Sequence, residues 1–347
     1  MERATMYKPS EHQAAGHDGC LTDADETLFI KLTSPQEVEF YTAIMAQDSE
    51  RDDSDDVPLS AWMPQCMGSL MPGDVTNQPA AKPDQVYVVL ENLYAGFKRP
   101  CIMDIKLGAK LTDDTVTAPE KIERLQKVSD ATTSGSHHFR VCGMKLYNQN
   151  SEEKPSIVGG LDDTVTVVKD KADDAYLEFN KFYGRQLTSD TVVDGIRQFF
   201  GPILAHGPSP HAKLVVKRLV QTFLKRLQLL YNTLLDYEVR MFSASLLFMY
   251  EGDLSRWHLD DPVDDAHLLV DDDAYDSADP LLADRRIADD DDDEDDTEDT
   301  TPTARLSQLN LIDFAHSRVT KGEGHDDNVI EGVAKLIDVF TAIDASI

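Results

Sequence analysis

Two acidic residues sit inside apolar runs: Asp104 in Pro100-Cys101-Ile102-Met103-Asp104-Ile105-Lys106-Leu107-Gly108, and Asp313 in Leu311-Ile312-Asp313-Phe314-Ala315-His316. Runs of this kind read as buried strands, and a carboxylate there is costly unless something cationic lies against it. Any fold for this chain must therefore bring positive charge to both acids. A metal–nucleotide complex is one partner that would do so.

The 347 residues, 41% of them apolar, can bury one large core or two modest ones. No apolar run reaches the roughly eighteen residues of a membrane span, and the N-terminal Met1–Ser10 stretch reads as no secretory signal. Cys20, Cys66, Cys101 and Cys142 form no CxxC pair and no metal spacing, so they are expected to be reduced thiols of an intracellular protein. The net charge of −31 is mostly local: twenty acidic residues and two arginines lie between Asp260 and Asp299. Direct nucleic-acid binding by a generic basic face is disfavoured, while a local basic pocket is not.

Along the chain, Ala24–Leu32 reads as a short strand carrying Lys31. Ser34-Pro35-Gln36-Glu37 then reads as a capping box opening a helix with Val38, Tyr41 and Met45 on one face. Residues 48–60 form an acidic loop, and Val86–Leu93 is a central strand. After the strand at 100–108, Thr117-Ala118-Pro119-Glu120 reads as a second capping box, for a helix to about Val128, and 130–137 as a Ser/Thr-rich loop. Phe139–Tyr147 alternates like a strand, Ser189 is expected to cap a helix, and Pro210 starts a longer one. Val239–Tyr250 reads as one long strand, Leu309–Phe314 as another, and Val329–Phe340 as a closing amphipathic helix. Residues 255–304 have the composition of a disordered insertion, and their acid run at 289–296 suits a solvated linker or a docking tail.

Asp313, followed by Phe314-Ala315-His316, resembles the metal-binding Asp-Phe-Gly of protein kinases, where the acid supplies a hard oxygen ligand for Mg²⁺. Lys31, just ahead of a helix bearing Glu37 and Glu39, is placed like a kinase's phosphate-gripping lysine and its glutamate partner. Which glutamate would pair is left open by the spacing, and Glu37 has its capping box as an alternative use. The His-Arg-Asp catalytic loop, a GxGxxG loop and a GxxxxGK[ST] loop are all absent; Gly16-His17-Asp18-Gly19 is the one glycine-containing turn near the N-terminus. Lys121, Arg124 and Lys127 form a basic stripe parallel to an apolar one, Ile122, Leu125 and Val128, as on an ordinary surface helix or an anion-binding one.

Taken together, PCIMDIKLG, Ser243-Ala244-Ser245-Leu246-Leu247 and LIDFAH resemble the PxxxDxKxG, SSLL and IDF signatures of the inositol polyphosphate kinase family. Phe182-Tyr183-Gly184-Arg185, Thr132–Ser136 and Asp327–Gly332 extend the match, in order, from about residue 12 to the C-terminus. The chain is most similar to the family's fungal multikinase branch, also described as regulators of arginine metabolism.

The resemblance implies an α+β, two-lobed kinase-like fold of antiparallel sheets with packed helices and a nucleotide cleft between the lobes. It implies an N-terminal lobe over 1–93 and a C-terminal lobe over 94–347 with a short substrate-binding helix at 117–137. It implies ATP and Mg²⁺ as cofactors. Glu91 and Leu93 would meet the adenine, Lys31 the phosphates, Asp104 the ribose, and Asp313 the metal, with Ser245 beside it. Asp104, Lys106 and Asp313 would form the catalytic set. Lys106, Lys121, Arg124, Lys127 and His316 would bind the acceptor, and Arg185 is a weaker candidate. The implied activity converts Ins(1,4,5)P3 and InsP4 toward InsP5. Phosphoinositide headgroups are further expected substrates, transcription factors further partners, the nucleus and cytoplasm the location, and a monomer the state. The competing readings are a hexakisphosphate kinase making pyrophosphates and a scaffold for transcription factors.

Overall fold

The computed structural model describes residues 7–10, 19–51, 57–75, 84–149, 157–205, 209–257 and 306–347. Most of the Gly16–Gly19 turn, the middle of the acidic loop and nearly all of the acidic insertion, with its run at 289–296, lie outside them.

The first sheet grows around Leu28–Thr33, whose neighbours in sequence stop it early. The Asp23 carboxylate accepts hydrogen bonds from Thr27 Oγ1 and the Leu28 amide, each 2.9 Å, and closes a turn where the strand expected over 24–32 would begin. Strands β1 (Lys8–Pro9), β2 (Leu21–Thr22), β3 (Leu28–Thr33), β4 (Cys66–Leu70) and β5 (Val86–Glu91) form a five-stranded antiparallel sheet in the order β1-β2-β3-β5-β4. Helix α1 (Pro35–Ser49) follows β3 and buries Glu37, Phe40, Tyr41 and Ile44. Neither half of the expected capping box forms: the Ser34 hydroxyl reaches to the Ala315 carbonyl at 3.5 Å, and Glu37 is turned inward toward Lys31 and Thr33.

The second sheet is six-stranded, in the order β12-β11-β6-β7-β9-β8, and antiparallel throughout. Its centre is β6 (Pro100–Leu107), the signature strand. Helices α2 (Pro119–Asp130) and α3 (Thr133–His137) follow, then β7 (Phe139–Tyr147), β8 (Val165–Lys169) and β9 (Ala175–Phe179). Ala118, which has no side-chain acceptor, stands at the N-cap of α2, so the second expected capping box is not formed. The stretch expected as a loop at 130–137 contains α3 because Thr132 caps it, accepting from the Ser134 amide.

Short helices α4 (Lys181–Gln186), α5 (Val192–Arg197) and α6 (Gly201–Ala205) lead to the long α7 (Pro210–Leu235). Helix α5 begins after Thr191, not at Ser189. The long strand expected over 239–250 is two strands, β10 (Val239–Met241) and β11 (Ser245–Glu251), with Ser243 at φ +60° turning the corner between them. Strand β12 (Ser307–Ile312) completes the large sheet, β13 (Ser317–Val319) pairs with β10, and α8 (Asp327–Asp344) packs against α7.

Strand β6 has no solvent face. Met103, Ile105 and Leu107 join the main core with α7 and α8 residues such as Phe223, Leu227, Val333 and Phe340. The opposite face carries Ile102, Asp104 and Lys106. The strand ends where Gly108 adopts φ +88°, and a Cβ there would lie 2.3 Å from Asn328 Nδ2. That carboxamide cannot step aside cheaply. Its oxygen accepts from the Ala109 and Lys110 amides, both 2.9 Å, and its nitrogen donates to the Lys110 carbonyl at 3.0 Å. Gly108→Ala is expected to lower unfolding free energy by about 2–4 kcal/mol through backbone strain and overpacking. Urea denaturation checks this, and a change below about 0.5 kcal/mol would contradict it.

Candidate active site

Residues directly opposite in antiparallel strands share a face. The register pairs Asp104 with Leu247 and Leu247 with Asn310; the next row is Lys106, Ser245 and Ile312; the row on the other side is Ile102, Met249 and Gln308. This face has its own apolar cluster, Leu93, Ile102, Leu247 and Met249, with Tyr94, Phe97 and Ile312 against it, separate from the main core. Tyr94 also meets Phe29 of β3 edge-on, with ring centroids 6.2 Å apart. The polar residues Asp104 and Ser245 are thus held beside an apolar floor at 6% and 0% exposure.

At the end of β12 the chain turns sharply through Asp313, at φ +67°. Phe314 plugs into α1, its ring 4.9 Å from Phe40 in a stacked arrangement and 5.2 Å from Tyr41 edge-on. Its amide donates to Glu37 Oε1 at 3.1 Å. The same oxygen accepts from Lys31 Nζ at 3.1 Å, and Lys31 also pairs with Asp313. Glu37, fully buried, is therefore the partner of Lys31, while Glu39 faces solvent. Burial works against the Lys31 ammonium, but Asp313 and Glu37 outweigh it and hold the group well above the ordinary lysine range.

Lys106 Nζ donates to the Ser243 carbonyl at 2.6 Å, which the left-handed turn at Ser243 presents. Asp104 senses the charges of Asp313, Lys106 and Lys31, so the structure brings these four residues into one neighbourhood. Ser245 lies close enough to Asp104 to favour its carboxylate, yet neither Asp104 Oδ1 nor Ser245 Oγ completes a well-aligned hydrogen bond among the described residues.

Beyond Lys106 the charge becomes positive. Burial, then Lys121 and Lys106, depress the His316 imidazole, with Glu37 and Asp113 opposing. Arg318 Nε donates to Asp113 at 3.0 Å. Arg140, directly opposite Lys106 in the sheet, is 7% exposed, and among the described residues its guanidinium donates to the hydroxyls of Thr132 and Ser134, at 3.4 and 3.2 Å. Sequence reasoning missed Arg140; its position opposite the signature lysine emerges only from the register. Lys121 lies at this group's edge, but Arg124 and Lys127 face solvent, the latter paired with Glu123 at 2.7 Å. Arg185 is stacked on the exposed Phe182. At the linker between the sheets, the Glu91 amide is committed to the Gln65 carbonyl at 2.8 Å and the Asn92 amide to Thr27 at 2.9 Å, while Leu93 belongs to the apolar floor.

A buried lysine–glutamate pair, a turn aspartate after the edge strand β12 and two antiparallel sheets define a kinase-like α+β fold. The chain belongs to the inositol polyphosphate kinase family: the model of that family, described as "Inositol polyphosphate kinase", matches residues 87–341. It is 42% identical over 370 residues to the inositol polyphosphate multikinase of Saccharomyces cerevisiae, covering 98% of this chain and 99% of that protein. The Homo sapiens inositol polyphosphate multikinase is 31% identical over 254 residues, 70% of this chain and 51% of that one. Among solved structures, that of inositol phosphate multikinase Ipk2 from S. cerevisiae in complex with ADP and Mn²⁺ superposes with a TM-score of 0.65 at 39% identity, over 91% of this chain and 99% of that one. The protein is a kinase that transfers phosphate to inositol phosphates.

Burial and the neighbouring Asp313 carboxylate push the Asp104 carboxyl up to about 6, against the pull of Lys106, the Ser245 hydroxyl and Lys31. An acid raised in this way holds its proton in the folded state at pH values where the unfolded chain has lost it. Its contribution is most favourable below the unfolded value of about 4 and is lost as pH rises through about 6. Asp104→Asn, which cannot ionise, is therefore expected to stabilise the nucleotide-free protein at about pH 7.5 by on the order of 3 kcal/mol and to change little at about pH 4. Thermal melts at both pH values check this, and an equal effect at the two would contradict it.

Proposed function

We propose that the protein is an ATP- and Mg²⁺-dependent inositol polyphosphate multikinase that phosphorylates Ins(1,4,5)P3 and its tetrakisphosphate products toward InsP5. The observation that carries this is the gathering of Lys31, Asp104, Lys106 and Asp313 in one neighbourhood at a single sheet face, next to a cationic group containing Arg140, Lys121 and His316. Residues 1–93 and 94–347 are the two lobes in this reading, with the segment after Glu91 as the hinge; each sheet being built from one side of that segment supports it.

The residues fit a metal–nucleotide complex. Glu37, Asp104 and Asp313 gather around the cations Lys31 and Lys106, and two buried oxygens, Asp104 Oδ1 and Ser245 Oγ, complete no hydrogen bond among the described residues. Asp313 would hold Mg²⁺, with Ser245 near it, and the ion would neutralise charge on the β- and γ-phosphates. The apolar cluster around Leu93 suits the adenine, with Asp104 set to accept from the ribose. Lys31, fixed by Glu37, grips the phosphates. Lys106, pointed by the Ser243 carbonyl, lies between the nucleotide side and the acceptor side, where it can stabilise the transferring phosphoryl group. Phosphoryl transfer through a loose transition state needs positioning and charge neutralisation more than a strong base. His316, held as the neutral imidazole by burial and by Lys121 and Lys106, can accept from the attacking hydroxyl.

Arg140 is assigned to an acceptor phosphate: a buried guanidinium whose hydrogen bonds among the described residues go to two hydroxyls retains capacity for an anion. Only the short helices α2 and α3 stand between Gly108 and Phe139, which supports an open acceptor pocket and more than one substrate orientation.

Incubation with Mg-ATP and Ins(1,4,5)P3 should yield tetrakis- then pentakisphosphate on chromatography. A single tetrakisphosphate, or turnover of the hexakisphosphate alone, would overturn the assignment. Lys106→Ala and Asp313→Asn are each expected to lower kcat about 10³-fold. Arg140→Ala should raise KM for the acceptor about tenfold while KM for ATP stays within twofold; initial-rate kinetics with each substrate varied will show whether the two separate.

A further inference from the structure

Asn310 on β12 is 1% exposed, and its side-chain oxygen has no hydrogen-bond partner among the described residues. A buried carboxamide left this way is costly, whereas an apolar residue of similar shape in its place would be neutral or stabilising. The position is therefore poorly suited to a purely structural role. Its neighbours in sequence, Leu309 and Leu311, point into the main core, so Asn310 lies on the other face. There it stands in register with Leu247 and Asp104.

The rows of this face are two residues apart along the strands, about 7 Å. The Ile102–Met249–Gln308 row carries the apolar floor. The Lys106–Ser245–Ile312 row leads to the phosphate-handling end beside Asp313. Between them runs Asp104–Leu247–Asn310, an acceptor at each end of an apolar centre. A nucleotide laid base-first along this face, at the same rough spacing, sets its sugar on that middle row. The donors a ribose offers are its two vicinal hydroxyls, and two unpartnered acceptor oxygens, Asp104 Oδ1 and Asn310 Oδ1, occupy the row.

We propose that Asn310 is a nucleotide-recognition residue whose side-chain oxygen accepts a hydrogen bond from one ribose hydroxyl, across Leu247 from Asp104. This rests on the nucleotide-site reading above and adds sugar selectivity to it. The site distinguishes ribonucleoside from deoxyribonucleoside triphosphates with both ends of the row, not with Asp104 alone.

The test is Asn310→Leu in the full chain, with Asn310→Ser as a second variant should the first fail to fold. Melting temperature is measured without nucleotide, and KM with ATP, 2′-deoxy-ATP and 3′-deoxy-ATP. The expected result is an unchanged or higher melting temperature for the leucine variant, a KM for ATP raised about tenfold, and an unchanged KM for the acceptor. The wild type should disfavour both deoxy analogues, and the variant should lose its discrimination against one. A lower melting temperature with unchanged KM for ATP would make Asn310 structural and overturn the proposal. So would an equal rise in KM for ATP and both analogues. Failure of the underlying reading is a separate result: Asp313→Asn would leave turnover and its divalent-metal requirement intact.

Discussion

The site is organised by one buried ionic cluster. Glu37 on α1 takes the Lys31 ammonium from β3 and the Phe314 amide from the turn after β12, while Lys31 also reaches Asp313. One carboxylate with no exposure joins the neighbouring β3 and α1 to a turn 277 residues further along the chain. Desolvating such groups costs several kcal/mol per ion, so the cluster is a poor source of net stability. What it supplies is position. The left-handed turn at Asp313, itself strained by about 1–3 kcal/mol, is held by the amide bond to Glu37 and by the Phe314 ring between Phe40 and Tyr41. Helix α1 cannot move away from the sheet without pulling Phe314 and losing the partner of Lys31.

Strand β6 supplies the second constraint. One face is committed to the helical core and the other to the site, so each alternate residue answers to a different environment. Met103, Ile105 and Leu107 are ordinary core residues, whereas Asp104 is an ionisable group among apolar neighbours that Lys106 and Lys31 offset in part, against burial and Asp313. The unpartnered oxygens of Asp104, Ser245 and Asn310 all lie on the same face. Stability is given up along a line of adjacent register positions, the pattern expected where a ligand completes the hydrogen bonding.

Much of this was legible in the sequence because alternation and buried acids leave strong marks. The strands at 100–107 and 139–147 and the helix from 210 follow from periodicity and helix-start signals, and the family, with its α+β class, follows from signatures that only this combination carries. What failed was local. Ser34-Pro35-Gln36-Glu37 has the spacing of a capping box, but a cation six residues upstream outcompeted the helix start for Glu37. The apolar run at 239–250 hides a corner, because Ser243 carries no sign of its positive φ. On the basic stripe of α2, Lys121 lies beside His316 while Arg124 and Lys127 face solvent, an arrangement that fits a surface helix and an anion-binding one alike. Arg140 and Asn310 were invisible for a different reason. Neither belongs to a motif, and only strand register places one opposite Lys106 and the other in line with Asp104.

The central claim is that Lys31, Asp104, Lys106 and Asp313 surround one metal-bound nucleotide. Crystals grown with ADP and Mn²⁺, measured at the manganese absorption edge, test it most directly. The account predicts an anomalous peak within coordination distance of an Asp313 carboxylate oxygen, with the diphosphate against Lys31 and the sugar over Leu247. A metal peak remote from Asp313, or a nucleotide lodged in any other cavity, would contradict it.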